Sequence, residues 1–121
     1  MLVVDDNALN VELVGYVLEH DEFTIASCAD AECALTEIGI FKPDLILMDI
    51  QLPGLNGMEL SAHLKSDERY RHIIIVAFTA YAMKGDEAKF MAAGCDGYIT
   101  KPIDVASFAA SLRAFLAKGA R

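Results

Sequence analysis

The chain has 121 residues, 55% of them hydrophobic, and carries a formal net charge of −8. This length suits one domain, residues 1–121, with one core, and the hydrophobic content excludes intrinsic disorder. The acidic balance excludes direct nucleic-acid binding, and the short apolar runs exclude a membrane span, so with no secretory signal we expect a cytoplasmic protein.

Short apolar runs alternate with amphipathic stretches along the whole chain. The runs predict strands over 2–4, 23–26, 45–48, 73–78 and 97–99. Apolar residues at helical spacing predict helices over 8–20, 31–40, 57–66, 84–93 and 104–117. Asp30 is a good N-cap for the second helix, Pro43 ends that helix, and Gly94 is a C-terminal cap for the fourth. The pattern is therefore five βα units.

Two of the predicted strands, 45–48 and 73–78, contain runs with no polar alternation. Such strands are typical of a parallel sheet that helices cover on both faces. Because parallel crossovers are right-handed, the pattern predicts an α/β fold with a doubly wound, five-stranded parallel sheet and five helices. Ligands of such sheets bind at the carboxyl ends of the strands.

Four of the five predicted strands end in polar residues that can do chemistry. Each such residue also has an ordinary interpretation as a helix cap, a turn residue or a solvated lysine. Their joint occurrence at one edge of one sheet favours a combined site. The residues are Asp5, Asp6, Asp49, Thr79 and Lys101.

Three converging carboxylates repel one another, at roughly 4 kcal/mol per pair for a separation near 4 Å and an effective dielectric near 20. Such a cluster either takes up protons or binds a cation. Oxygen ligands suit a hard ion, and Mg²⁺ commonly uses one or two carboxylates with water and phosphate oxygens. With the metal bound, the carboxylate of Asp49 can attack phosphorus, and Lys101 can neutralise the transferred group.

This set of residues resembles the receiver domain of two-component response regulators, the CheY-like family. The matching segments are 3–7, 43–53, 57–59, 78–80 and 94–102. The resemblance implies the flavodoxin-like strand order 2-1-3-4-5. The stretch 79–87 is similar to single-domain cell-division regulators of the DivK kind, although receivers of hybrid kinases share it. Receivers usually have one or two more residues before the first strand, so this chain is either trimmed or has a short first strand.

The resemblance implies that Asp49 accepts a phosphoryl group from a histidine kinase or a histidine phosphotransfer protein. Asp6 and Asp49 would bind Mg²⁺ directly, with the backbone carbonyl of Gln51, and Asp5 would bind it through water. The chain would be no enzyme beyond assisting its own phosphorylation and dephosphorylation. We also hypothesise that Gln51 and Tyr81, which flank the site, tune hydrolysis by controlling access of water.

The resemblance further implies that Thr79, Ala80 and Lys101 bind the phosphoryl group. Thr79 and Tyr98 would form a switch that controls binding of a downstream protein, and a cis bond before Pro102 would aim Lys101 into the site. An alternative for Tyr98 is a purely structural role as a half-buried aromatic residue on an edge strand. Homodimerisation through the fourth helix, fifth strand and fifth helix is a further possibility.

Several alternatives concern function and context. An aspartyl-phosphate phosphatase would place a second acid two residues after Asp49, where Gln51 stands, and a flavodoxin-like cofactor carrier would not place Asp5 and Asp6 beside a phosphate. The protein is either a stand-alone regulator, which we favour, or a receiver cut from a hybrid histidine kinase or a larger regulator.

Apolar residues on the first helix and the cysteines and histidines outside the site allow further predictions. Val11, Tyr16 and Leu18 add apolar surface to the first helix, which is either an interface or a broad core-facing side. The three cysteines are expected to be reduced thiols packed as small hydrophobic residues, and the three histidines are expected at or near the surface. They are Cys28, Cys33, Cys95, His20, His63 and His72.

Overall fold

The computed structural model describes residues 1–18, 24–49, 57–79, 86–100, 104 and 106–119. In these ranges, five parallel strands form one sheet in the order β2-β1-β3-β4-β5. The strands are β1 (Leu2–Val4), β2 (Ala26–Cys28), β3 (Leu45–Asp49), β4 (Ile74–Thr79) and β5 (Gly97–Thr100). The helices are α1 (Ala8–Val17), α2 (Ala31–Phe41), α3 (Gly57–Ser66), α4 (Asp86–Ala92) and α5 (Phe108–Gly119). The predicted fold and strand order are confirmed.

Two separate hydrophobic cores lie on the two faces of the sheet, because successive side chains of a strand point to opposite sides. One core joins alternate strand residues such as Leu2 and Ile46 to buried residues of α2, α3 and α4. The other joins Val3 and Leu47 to residues of α1 and α5. This division explains why β1, β3 and β4 are apolar except at the last residues of β3 and β4, since both faces of these strands are covered.

Local signals in the sequence set several element ends. The side chain of Asp30 accepts a hydrogen bond from the backbone N–H of Cys33 at 2.8 Å and caps α2, as predicted. Gly94, two residues after the end of α4, has a φ of +98°. The N–H of Cys95 then reaches back to the carbonyl of Phe90 at 3.0 Å, a bond typical of a glycine-terminated helix. Both predicted caps are therefore confirmed.

The predicted second strand was misplaced. Of the run 23–26, Phe23 lies outside the described residues, Thr24 and Ile25 precede the strand, and only Ala26 belongs to it. Pairing with β1 sets the position, because Leu2 lies opposite Ala26 and the pairing runs on to Cys28. The apolar run did not locate the strand because β2 lies at the edge of the sheet, where the exposed polar residue Ser27 is tolerated within it.

Helix bounds differ from prediction most clearly at α5, which begins at Phe108 and not at 104. The side chain of Asp104 accepts from the N–H of Ala106 at 3.1 Å, and its carbonyl accepts from Ser107 at 3.1 Å, so a turn precedes the helix. The helix α3 has the predicted bounds, and α2 is one residue longer. Positions 19–20 and 84–85 of the first and fourth predicted helices lie outside the described residues.

The helix α1 buries only one side. Val14 and Leu18 at its C-terminal end are buried, whereas Leu9 is 72% exposed and Tyr16 is 73% exposed. Part of the surplus apolar surface therefore faces solvent, although Leu18 belongs to the core. None of the helices in the described ranges has the length and apolar character that a bilayer crossing requires.

The predictions for cysteines and histidines are confirmed in part. Cys28 and Cys95 are buried, but Cys33 is exposed, so the expectation that it packs in the core was wrong. It lies in the first turn of α2, on the side that faces solvent. His63 and His72 are exposed as expected, and His20 lies outside the described residues.

Candidate functional site

The strand register brings the predicted acidic residues to one edge of the sheet. Val4 lies opposite Met48 in the parallel pairing of β1 with β3, so Asp5 and Asp49, which follow them, are neighbours. Asp49 in turn lies opposite Phe78 of β4, directly before Thr79. The carboxyl ends of three adjacent strands therefore meet where an α/β sheet normally binds ligands.

The carboxylates of Asp5, Asp6 and Asp49 form a compact cluster. One oxygen atom from each side chain lies within 4.8 Å of the others. Asp5 and Asp49 are buried, with 2% and 6% of their surface exposed, whereas Asp6 is exposed. The cluster therefore combines two carboxylates held in the protein with one that faces solvent, so a small ion or a phosphoryl group can approach from outside.

Hydrogen bonds at the start of α1 fix Asp5. Its carboxylate accepts from the backbone N–H of Asn7 at 2.9 Å and from the side-chain amide of Asn10 at 3.2 Å. Its backbone N–H donates to the carbonyl of Cys28 at 2.9 Å, which ties it to β2. The sequence analysis named neither Asn7 nor Asn10 as a partner of Asp5. The one signal for Asn10 was a side-chain amide a few residues after the acidic pair.

Asn7 also begins α1. Its side-chain oxygen accepts from the N–H of Leu9 at 2.9 Å, and its carbonyl accepts from Asn10 and Val11. The same residue thus caps the helix and donates its own N–H to Asp5. The start of α1 and the position of the acidic cluster are therefore structurally coupled.

The donor set fits a hard divalent cation. The three carboxylates, with oxygens within 4.8 Å of one another, offer only oxygen atoms, which are the ligands that Mg²⁺ prefers. Without a cation, the three negative charges repel at close range. The cluster of Asp5, Asp6 and Asp49 is therefore consistent with Mg²⁺ binding, and the individual ligand roles stay predictions.

Thr79 lies at the end of β4 and is buried, with 4% of its surface exposed. Tyr98 lies one strand further from the acidic cluster, opposite Ala77 in the pairing of β4 with β5. Because positions 77 and 79 share a face of the strand, Thr79 and Tyr98 lie on the same side of the sheet. The two residues of the predicted switch therefore share one face of the sheet.

The ring of Tyr98 is half-buried and packs on α4, with its centroid 5.9 Å from that of Phe90. This packing agrees with the structural interpretation of Tyr98, and the switch role stays a prediction. The other predicted site residues lie outside the described residues, and their roles stay predictions as well. They are Gln51, Ala80, Tyr81, Lys101 and Pro102.

Comparison with known proteins gives consistent results. Residues 1–113 match the family described as the response regulator receiver domain. The polar-differentiation response regulator DivK of Brucella anthropi is 40% identical over 116 residues, which are 96% of this chain and 94% of DivK.

Solved structures show the same fold. A CheY-like response regulator receiver domain protein of Methanospirillum hungatei has a TM-score of 0.87 at 25% identity, covering 98% of this chain and 94% of that one. The receiver domain of the sensor histidine kinase PA1611 of Pseudomonas aeruginosa has a TM-score of 0.85 at 29% identity, covering 96% and 95%. That structure has a magnesium ion coordinated in its active-site cleft. The chain belongs to the response regulator receiver domain family.

Proposed function

We propose that this chain is a phosphorylation-dependent switch in which Asp49 accepts a phosphoryl group from the phosphohistidine of a partner, with Mg²⁺ as the cofactor. The partner is a histidine kinase or a histidine phosphotransfer protein. The observation that carries the proposal is the cluster of Asp5, Asp6 and Asp49, with their oxygens within 4.8 Å of one another and Asp49 buried at the end of β3.

The proposed reaction is a displacement at phosphorus. A carboxylate oxygen of Asp49 forms a bond to phosphorus, the bond from phosphorus to the donor's imidazole nitrogen breaks, and the imidazole keeps the electron pair and takes up a proton. The product is an acyl phosphate on Asp49. Asp5, Asp6 and Asp49 would hold Mg²⁺, together with the Gln51 carbonyl that the resemblance implies. When bound, the ion offsets the negative charge of the carboxylates and the phosphoryl oxygens.

Thr79 is the described residue best placed to read the phosphoryl group. Phe78 of β4 lies opposite Asp49, and Thr79 is the next residue along that strand. We therefore propose that the Thr79 hydroxyl donates a hydrogen bond to a phosphoryl oxygen. A shift of Thr79 would favour a different position of Tyr98 on the same side of the sheet and so change binding of a downstream protein. The family resemblance adds Ala80 and Lys101 to the phosphate ligands.

The proposal makes Asp49 the carrier of a signal and not a catalyst that turns over substrates. Gln51 stands two residues after Asp49, where a phosphatase of the aspartyl-phosphate type would need an acid. The same chemistry serves a stand-alone regulator and a receiver within a larger protein, because both use the strand-edge site.

Incubation with Mg²⁺ and acetyl phosphate tests the chemistry without a protein partner. We expect intact-protein mass spectrometry to show one added phosphoryl group, lost on mild alkaline treatment and absent in EDTA. Asp49→Asn should abolish the addition. Asp44→Asn is the matched control, because Asp44 is an exposed carboxylate at the opposite end of β3. Equal labelling of wild type and Asp49→Asn would contradict the proposal.

We further propose that the phosphodonor protein contacts the exposed stripe of α1. Leu9, Leu13 and Tyr16 are 72%, 37% and 73% exposed and recur at positions that lie on one side of a helix. The stripe begins within a turn of the acidic cluster, since α1 starts at Ala8. Exposed apolar surface next to a reactive group is typical of a docking site.

A substitution in this stripe separates docking from chemistry. Tyr16→Ser should slow phosphoryl transfer from a phosphorylated histidine phosphotransfer protein by about tenfold or more, as expected for an aromatic contact residue. Labelling by acetyl phosphate should not change, because the small donor needs no protein surface. Ile40→Ser is the control, since Ile40 is equally exposed (72%) but lies on α2. Unchanged protein-to-protein transfer in Tyr16→Ser would rule out this docking surface.

A further inference from the structure

Two cysteines outside the acidic cluster lie in direct contact. Cys28 is the last residue of β2 and Cys33 lies in the first turn of α2. Their sulfur atoms are 2.7 Å apart, and both are free thiols. Cys28 is buried, with 4% of its surface exposed, whereas Cys33 is exposed to solvent. One thiol of the pair is therefore accessible to small reagents and the other stands directly behind it.

The backbone sets this arrangement without help from the sulfur atoms. Cys28 lies opposite Val4 in the sheet, and its carbonyl accepts the N–H of Asp5 at 2.9 Å. The N–H of Cys33 donates to the capping side chain of Asp30 at 2.8 Å. The end of a strand and the start of a helix thus hold the two residues on either side of a tight connection, and the contact between the thiols follows from the fold.

The third cysteine has a different environment. Cys95 is buried, and its sulfur lies 3.5 Å from the hydroxyl oxygen of Ser61. Burial raises the pKa of the Cys95 thiol, which keeps it protonated and unreactive. Cys95 is therefore a buried thiol with no sulfur partner among the described residues, and its reactivity can be compared with that of the Cys28–Cys33 pair.

We propose that Cys28 and Cys33 are an oxidation-sensitive thiol pair that forms a reversible disulfide on reaction with a peroxide. The proposal is independent of the phosphorylation of Asp49, because it rests on a separate pair of residues. The bond would close only a short loop, so its stabilisation through chain entropy would lie at the low end of the usual range for disulfides. Reduction with dithiothreitol tests its reversibility.

Exposure assigns the first step to Cys33. The Cys33 sulfur attacks one peroxide oxygen and the O–O bond breaks. The departing hydroxide takes up the thiol proton and leaves as water, so that Cys33 becomes a sulfenic acid. The sulfur of Cys28 then attacks the sulfur of Cys33, the S–O bond breaks, and the oxygen leaves as a second water with the proton of the Cys28 thiol. Two thiols and one peroxide give one disulfide and two waters.

The environment of Cys28 supports this order of events. Burial, contact with Cys33 and the nearby carboxylates of Glu37 and Asp30 raise the pKa of the Cys28 thiol. Cys28 therefore stays protonated in the reduced pair, and the first reaction falls to the exposed Cys33.

Peptide mapping can identify the bond, because Glu32 separates the two cysteines. Cleavage after glutamate releases residues 23–32 with Cys28 and residues 33–37 with Cys33. After treatment of the reduced, folded protein with hydrogen peroxide, we expect these fragments to be linked and two of the three thiols to be lost. Cys95 should be the remaining thiol, and dithiothreitol should restore all three.

Two variants serve as controls that keep the fold. Cys33→Ser changes an exposed residue. This variant should form no linked fragments, and its two remaining thiols, Cys28 and Cys95, should both survive the peroxide treatment. Cys95→Ser should form the bridge at the wild-type rate. The proposal is overturned if oxidised wild type yields unlinked fragments with further-oxidised Cys33, if the bond joins two chains through Cys33, or if Cys95 is consumed as fast as the pair.

Discussion

Neutralising one member of the acidic cluster should make the metal-free protein more stable. Asp6→Asn is the substitution of choice, because Asp6 is exposed and the change keeps the shape of the side chain. It removes the repulsion of Asp6 from both Asp5 and Asp49. The opposite result is usual for a carboxylate in a folded protein, so the sign of the effect is informative.

The distances in the cluster give the magnitude. Two unit charges 4.8 Å apart repel by about 3.5 kcal/mol at an effective dielectric of 20, and by about 0.9 kcal/mol in bulk water. Because Asp6 is exposed, its two interactions lie close to the water limit. Removing both should raise the free energy of unfolding by about 1–2 kcal/mol in EDTA. The same change should weaken the binding of Mg²⁺.

Urea denaturation in EDTA and in MgCl₂ measures both effects. At a Mg²⁺ concentration ten times its dissociation constant, the wild type should gain about 1.4 kcal/mol, and Asp6→Asn should gain much less. Glu68→Gln makes the same change in net charge at an exposed residue outside the cluster and should show neither effect. A variant less stable than the wild type in EDTA, or one with an undiminished Mg²⁺ gain, would refute the reasoning.

Two further predictions concern residues away from the site. Gly94→Ala should lower the free energy of unfolding by about 1–3 kcal/mol in urea denaturation, because φ is +98° and a β-carbon would lie 2.7 Å from Cγ of Lys65. Gly39→Ala, in an uncrowded position of α2, should be neutral or stabilising. Hydrogen bonds from Arg69 lower the pKa of Asp67 to about 2, so their stabilising effect is present at neutral pH and is lost as the pH falls through that value. In Arg69→Gln this pKa should rise part of the way towards its ordinary value, because the backbone N–H of residue 69 still donates; an unchanged NMR titration of Asp67 would contradict this.

Much of the site could be predicted from the sequence because the sheet does most of the positioning. Asp5 directly follows β1, and Asp49 and Thr79 are the last residues of β3 and β4. Parallel strands bring their carboxyl ends to one edge of the sheet. The cluster of carboxylates therefore followed once five βα units were recognised. The contribution of Asn10 could not be predicted, because its contact with Asp5 depends on the exact start of α1.

The errors have physical causes that a single sequence does not reveal. The bounds of β2 depend on register with β1, a contact between distant parts of the chain, and not on the local run of apolar residues. The ion pair between Lys65 and Asp96, whose charged atoms are 2.9 Å apart, was not predicted, because the two residues lie 31 positions apart in the chain. The exposure of Cys33 depends on which side of α2 faces the sheet. All three are consequences of tertiary packing.

The identity of the phosphorylated residue tests the central claim most directly. Borohydride reduction of an acyl phosphate converts the modified aspartate into homoserine. After incubation with Mg²⁺ and acetyl phosphate, peptide sequencing by mass spectrometry should find homoserine at position 49 and unmodified aspartate at Asp5 and Asp6. Homoserine at another position, or a stable phosphoryl group on a hydroxyl side chain, would contradict the assignment of Asp49 as the acceptor.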